Sequence, residues 1–336
     1  MRKPTRGGVA SLVFLAAAAA APRAQAVIIV GDLNDPTTPQ RNVLPAPNGL
    51  SDYLASFGTF LATPIAPRYF AAAAHILNDA GTTIVYNNGT ITPTAYTVTE
   101  VGRSGDLAIL KIADADPVIT LYAPLYTATT EVGRPLVVVG RGTTRGAPMY
   151  LPEASNNIND LRGWQWGAAD HVVSWGTNVV DGVADGQAIS NDVNFAGDML
   201  VFGFDRGGGH NEGILSVGDS SGPVFVLDPG DNTYKLAAIN SLVDNGPYSY
   251  SPAGADFTAG IFDARGFYYG GDNVLINPNA PGPIRAASYS TRIASRLEFI
   301  SAMTENTAPV PEPGLTLLVG AALPALALRR NRRRRA

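Results

Sequence analysis

Gly218-Asp219-Ser220-Ser221-Gly222-Pro223 sets a serine among small residues, with an aspartate just before it. Small neighbours let backbone N–H groups crowd a reacting carbonyl and stabilise an oxyanion. A serine hydroxyl attacks only when a base takes its proton. The chain has 3 histidines, and one stands in Ala72-Ala73-Ala74-His75-Ile76. Gly105-Asp106 then opens the apolar run Leu107 to Ile112. Singly, each is ordinary: a turn, a structural histidine, a strand-edge carboxylate. Together they offer a nucleophile (Ser220), a general base (His75) and a carboxylate to orient the imidazole (Asp106). His171 and His210 are the alternative bases.

Ala-Ala-His, then Asp106-Leu107-Ala108-Ile109-Leu110, then Gly-Asp-Ser220, in that order, resembles the chymotrypsin/trypsin-like serine peptidases. The likeness covers about residues 29–304 and continues weakly in Tyr289 to Ile293 and Leu297 to Ile300. An esterase of the α/β-hydrolase kind also fits Gly218-x-Ser220-x-Gly222, but it needs its histidine last. The resemblance implies an all-β fold. It consists of two packed six-stranded antiparallel β-barrels, split near 125–135, and a short C-terminal helix. It implies peptide hydrolysis through an acyl-enzyme, with no metal and no organic cofactor. The oxyanion hole would be the N–H groups of Gly218 and Ser220, and a buried Asp219 would brace the turn. Ser221 departs from the family's glycine, and its Cβ restricts the dihedrals available there. Ile214 would lie at the base of the substrate pocket, with Ser241, Leu242 and Val243 as its wall. That set offers no carboxylate to a basic side chain, so small or medium apolar substrates are expected. Ile29-Val30-Gly31-Asp32 is similar to the amino terminus of activated members, whose freed amine pairs with the aspartate before the nucleophile. Cleavage after Ala26 leaves Val27 first, two residues too long for that match, so an ordinary first strand is expected.

The two ends carry addresses. Arg2, Lys3 and Arg6, the apolar run Val9 to Ala21, and Ala24-Gln25-Ala26 read as a secretory signal over 1–26. A polar linker at 305–313 leads to a second signal at 310–336. There Val310-Pro311-Glu312-Pro313 precedes an apolar segment, 314–328, and a run of arginines. This resembles the PEP-CTERM sorting signal of Gram-negative bacteria. It implies export, passing membrane anchorage and processing by an exosortase, ending in secretion, at the cell surface or in an exopolysaccharide matrix. The apolar segment is short for a permanent span, and the arginines favour the cytoplasmic side.

Ten of the 24 basic residues lie in 1–26 and 329–335, which contain no acid. Residues 27–328 therefore hold 14 basic against 28 acidic residues, a net charge of −14. Such a body repels nucleic acid and anionic lipid. The chain has 0 cysteines, which excludes disulfides, thiolate metal sites and a cysteine nucleophile. A monomer acting on protein or peptide substrates is the expectation. The competing reading is a peptidase-like matrix or adhesion module without turnover.

Gly 36 and Pro 25 punctuate short apolar runs, as in sandwiches and barrels. Strands are expected at 82–86, 95–101, 107–112, 135–140, 199–204, 224–227, 236–243 and 258–262. The stretch 141–197, with Trp164, Trp166 and Trp175, reads as irregular, its tryptophans pinning a long loop. Asp228 to Asn232 reads as a solvated turn rather than a Ca²⁺ loop. The spacing of Ile293, Leu297 and Ile300 predicts a helix over 290–303, capped by Ser290 or Thr291.

Overall fold

A computed structural model describes residues 27–304 apart from 39, 245, 271 and 272. The signal segment 1–26, the linker 305–313 and the sorting segment 310–336 lie outside the described residues. Strand makes up 42% and helix 13%, so the fold is mainly β. No helix of the described residues is long and apolar enough to cross a membrane.

Two short strands come first, β1 (Ile28–Ile29) and β2 (Asn42–Val43). Then follow β3 (Ala55–Phe57), β4 (Phe60–Ala66), β5 (Tyr69–Ala73), β6 (Thr83–Tyr86), β7 (Thr94–Ser104) and β8 (Leu107–Ile112). These six close into a barrel in the order β3-β4-β5-β8-β7-β6. Alternation drives the outer wall: Tyr96 and Val98 are buried while Ala95, Thr97 and Thr99 face water. β5 is buried along its whole length. Its inner face fills the barrel, and the small side chains of Ala71, Ala72 and Ala73 let the second half of the chain approach the other. Phe70 of β5 shares one core with Val137, Val139, Phe225 and Ile239 from that second half.

The second half holds β9 (Pro135–Gly140), β10 (Thr143–Tyr150), β11 (Leu161–Ala169), β12 (Ser174–Val179), β13 (Gly182–Asp185), β14 (Asp198–Gly203) and β15 (Gly213–Ile214). It continues with β16 (Pro223–Asp228), β17 (Thr233–Val243), β18 (Tyr248–Ser249), β19 (Ala259–Ile261), β20 (Tyr268–Tyr269), β21 (Val274–Leu275) and β22 (Ala287–Arg292). Eight strands form one sheet in the order β13-β14-β22-β17-β16-β9-β12-β2. β10-β11-β19 and β18-β20-β21 form two smaller sheets, and β1 pairs with β15. The strand ladder of the eight-stranded sheet does not close on itself. Across the gap from β12 to β14, Asn178 Nδ2 donates to Gly203 O at 2.7 Å.

The expected helix begins later than its spacing suggested. Ser290 and Thr291 are buried in β22, which pairs with both β14 and β17. Pairing on two sides overrides the local pattern. The helix runs Leu297–Met303 after a 3₁₀ turn at Ala294–Arg296. The 141–197 stretch is also more regular than expected, since it supplies β10 to β13. Trp164 and Trp175 do pin neighbouring chain, donating to Pro36 O at 3.0 Å and Val43 O at 3.1 Å. The carboxylates of Asp228 and Asp231 both pair with Lys235. Among the described residues no cluster of three metal-ligating side chains occurs.

Candidate active site

β5 ends at Ala73 and the chain turns through a 3₁₀ turn, Ala74–Ile76, which carries His75. Gly105-Asp106 is the turn that links β7 to β8, and β8 lies beside β5. A Cβ on Gly105 would stand 2.2 Å from Ala196 O, so only glycine fits there. The main chain locks the two turns together. Ala74 N–H donates to Asp106 O at 2.8 Å, and His75 N–H donates to Asp106 Oδ1 at 2.9 Å.

His75 Nδ1 lies 2.8 Å from Asp106 Oδ2 and 2.9 Å from Oδ1. Its Nε2 lies 2.8 Å from Ser220 Oγ, which arrives on the turn between β15 and β16. The imidazole thus bridges a buried carboxylate and a half-exposed hydroxyl. It is Ser220 that bonds to His75; neither His171 nor His210 takes that position. With a proton on Nδ1, held by Asp106, Nε2 is left as an acceptor for the serine proton. Ser241 on β17 also donates to Asp106 Oδ2, at 2.5 Å. Its hydroxyl is therefore committed to the carboxylate rather than offered to a ligand.

The turn before Ser220 is built around Asp219. Oδ2 accepts from Ser216 N at 2.7 Å and Ser216 Oγ at 2.9 Å; Oδ1 accepts from Gly142 N at 2.7 Å. The backbone N–H of Val27 completes the shell, 3.4 Å from Oδ1. Burial pushes the Asp219 carboxyl up to about 6, against the pull of these donors. β1 does form the ordinary strand expected, but Val27, not Ile29, is the residue that meets Asp219.

Asp219 N–H is returned to Ser216 O. The N–H groups of Gly218 and Ser220 have no acceptor among the described residues. Gly218 has φ +91°, and a Cβ there would press on Gly142 at 3.0 Å. Two free donors flanking one nucleophile can take the charge of a tetrahedral oxyanion.

Ser221 is where sequence reasoning fell short. It adopts φ 68°, a left-handed conformation that disfavours a side chain. Its buried Oγ accepts from Ala73 N at 2.9 Å, tying the Ser220 turn to the strand that leads into the His75 turn. Asn240 was also missed. Its buried Nδ2 donates to Val139 O and to Asp219 O, bracing the same turn from β17. Phe195, half-buried, sets its ring 5.8 Å from the imidazole of His75. Only the unexpected Ser221 side chain gave any signal in the sequence.

The four pocket residues divide. Ile214 is fully buried in the β15–β1 pair, in a core cluster with Ile28, Trp164, Phe204 and Phe262. Val243 packs on that cluster and on the one holding Leu215. Leu242 is half-buried on β17, beside Ser241. Every side chain here other than Ser241 is apolar.

No protein-family model matches the chain, and no curated protein matches its sequence.

Proposed function

We propose that the chain is a serine endopeptidase of the chymotrypsin/trypsin-like kind. The observation that carries this reading is the unbroken contact from Asp106 through His75 to Ser220 Oγ, next to two unused backbone donors. His75 Nε2 takes the proton of Ser220 as its oxygen attacks a peptide carbonyl. Gly218 and Ser220 N–H groups stabilise the oxyanion. The imidazolium, paired with Asp106, then protonates the departing amine. Water repeats the sequence on the ester and frees the acid. The steps involve no metal or organic cofactor.

The same reading gives the second half a barrel. β9, β12, β14, β22, β17 and β16 form its staves, and Asn178 seals the β12–β14 seam. It also gives the protein an exported life: signal removal at 26, passing anchorage through 314–328 and release by an exosortase. Cleavage after Ala26 converts the Val27 N–H into an ammonium beside Asp219, so export and site assembly become one event.

Hydrolysis of fluorogenic peptides by the chain beginning at Val27 tests the function. Cleavage that vanishes in Ser220→Ala is expected. Equal cleavage by both proteins, or by neither, overturns it; the second result favours a binding module.

A further inference from the structure

The start of β11, the loop that leaves β14 and the chain that follows β19 meet around a cavity of about 270 Å³. It shares no lining residue with the His75, Asp106 and Ser220 turns. Arg162, Arg206 and Arg265 line it, together with Asp205, Asp263 and Phe262. Three of the 14 basic residues of 27–328 thus crowd one small space in a body of net charge −14. Gathering like charges is unfavourable unless a counter-charge offsets it.

The counter-charge supplied by the chain falls short. Asp263 is buried, and both its oxygens are committed. Oδ1 accepts from Arg265 Nε at 2.8 Å; Oδ2 accepts from Arg162 Nη1 at 2.9 Å and Arg265 Nη2 at 2.7 Å. Asp205 pairs with Arg285 instead. Arg206 meets no carboxylate among the described residues. It donates from Nη2 to Ile158 O at 2.7 Å, and its guanidinium carbon lies 5.7 Å from the centre of the Phe262 ring. One carboxylate therefore serves three guanidinium groups.

Donors are also left over. Arg162 Nε is buried without an acceptor. Its Nη2, on the same edge of the guanidinium plane, donates to nothing among the described residues. Such an edge matches the two oxygens of one carboxylate. An unpaired buried donor is unfavourable, so an acceptor arriving there is favoured. The edge is firmly held, because Phe262 N–H donates to Arg162 O at 3.0 Å and Gly163 pairs with Ile261 across β11 and β19. An oxyanion supplies both missing things, acceptor oxygens and negative charge. Asp263 and the acidic body oppose a dianion such as phosphate, which leaves a singly charged group as the better match. A carboxylate is flat like the guanidinium edge, and its carbon body rests on Phe262 and Pro283. The volume holds a short acid or one acidic side chain.

We infer that this cavity binds a carboxylate carried on a compact apolar body, with Arg162 and Arg206 as its cationic ligands. The site goes beyond the peptidase reading and does not rest on it.

Fluorine NMR tests it by titrating the Ser220→Ala chain with 4-fluorobenzoate and, as a neutral ligand of the same shape, 4-fluorobenzamide. The acid binds about tenfold more tightly than the amide, and Arg162→Gln and Arg206→Gln each bring the two close to level. Arg162 also holds Asp263, so Arg206→Gln carries the test if the first variant does not fold. Arg103→Gln, which alters a surface arginine paired with Glu100, leaves the preference unchanged. Equal binding of acid and amide overturns the inference, as does a preference that survives Arg206→Gln. Inorganic phosphate that displaces the benzoate more readily than acetate does overturns the assignment to a single charge. A blocked peptide with one glutamate identifies the source. If it displaces the benzoate and its glutamine counterpart does not, the carboxylate is a peptide side chain; if acetate alone displaces it, the ligand is a free acid. Either result keeps the site.

Discussion

Val27 N lies 3.4 Å from Asp219 Oδ1, although 192 residues separate them in sequence. The contact couples the residue that leads into β1 to the residue that precedes Ser220. Asp219 is the group through which this coupling acts on stability. Its ordinary value is 3.8, and burial raises it to about 6. For a carboxyl raised on folding, the stabilising contribution is full below the unfolded value and is lost as pH rises through the folded one. A chain extended upstream of Val27 therefore loses about 3 kcal/mol between pH 4 and pH 7. An ammonium at Val27 keeps Asp219 ionised and reduces that loss. Denaturant titrations of both forms across this range, in Ser220→Ala to stop self-digestion, check the prediction. Identical pH slopes would contradict it.

Ser221 carries a second prediction. Ser221→Ala keeps the left-handed backbone strain and leaves Ala73 N–H buried without its acceptor, a loss of about 2–3 kcal/mol. Ser221→Gly loses the same bond but relieves the strain, so it is less destabilised by about 1 kcal/mol. Thermal unfolding ranks the three proteins. Alanine at or above glycine in that ranking would refute the role given to this hydroxyl.

Ser241→Ala removes one of the donors that hold Asp106. The expected loss is about tenfold in kcat with little change in KM, because Ser241 touches the carboxylate and not the substrate. A rise in KM at constant kcat would instead place Ser241 in substrate binding.

The apolar pocket proposed from Ile214, Leu242 and Val243 predicts a preference for Ala, Val or Leu over Arg at the residue whose carbonyl is attacked. Val243→Gly should widen the choice toward larger apolar residues, since Val243 packs where a glycine would leave space. A series of peptides differing at that residue measures it. Faster cleavage after Arg than after Leu by the unaltered chain would count against the apolar pocket.

Much of the site was legible because its parts are local. His75, Asp106 and Ser220 each sit in a short stretch with its own signature, and their chain order narrows the fold. Strands such as β8, β9 and β16 were legible as apolar runs closed by glycine, proline or aspartate. The stretch 141–197 was not. β10 and β11 slip register between Thr143 and Arg145 and again between Arg145 and Pro148, which destroys the two-residue period. Ser221 and Asn240 were hidden for another reason. Their partners, Ala73 and Val139, lie 148 and 101 residues away, beyond the reach of any local pattern. The helix expected at 290–303 failed at its start for a similar reason, since only the neighbouring strands make Ser290 and Thr291 extended.

Covalent labelling by a fluorophosphonate tests the central claim most directly, because the reagent needs both an activated serine and an oxyanion site. Mass spectrometry of the labelled chain beginning at Val27 should place one adduct on Ser220, and His75→Ala should label at least about 10³-fold more slowly. An unreactive Ser220 in the folded protein, or equal labelling of Ser220→Ala, would contradict the account.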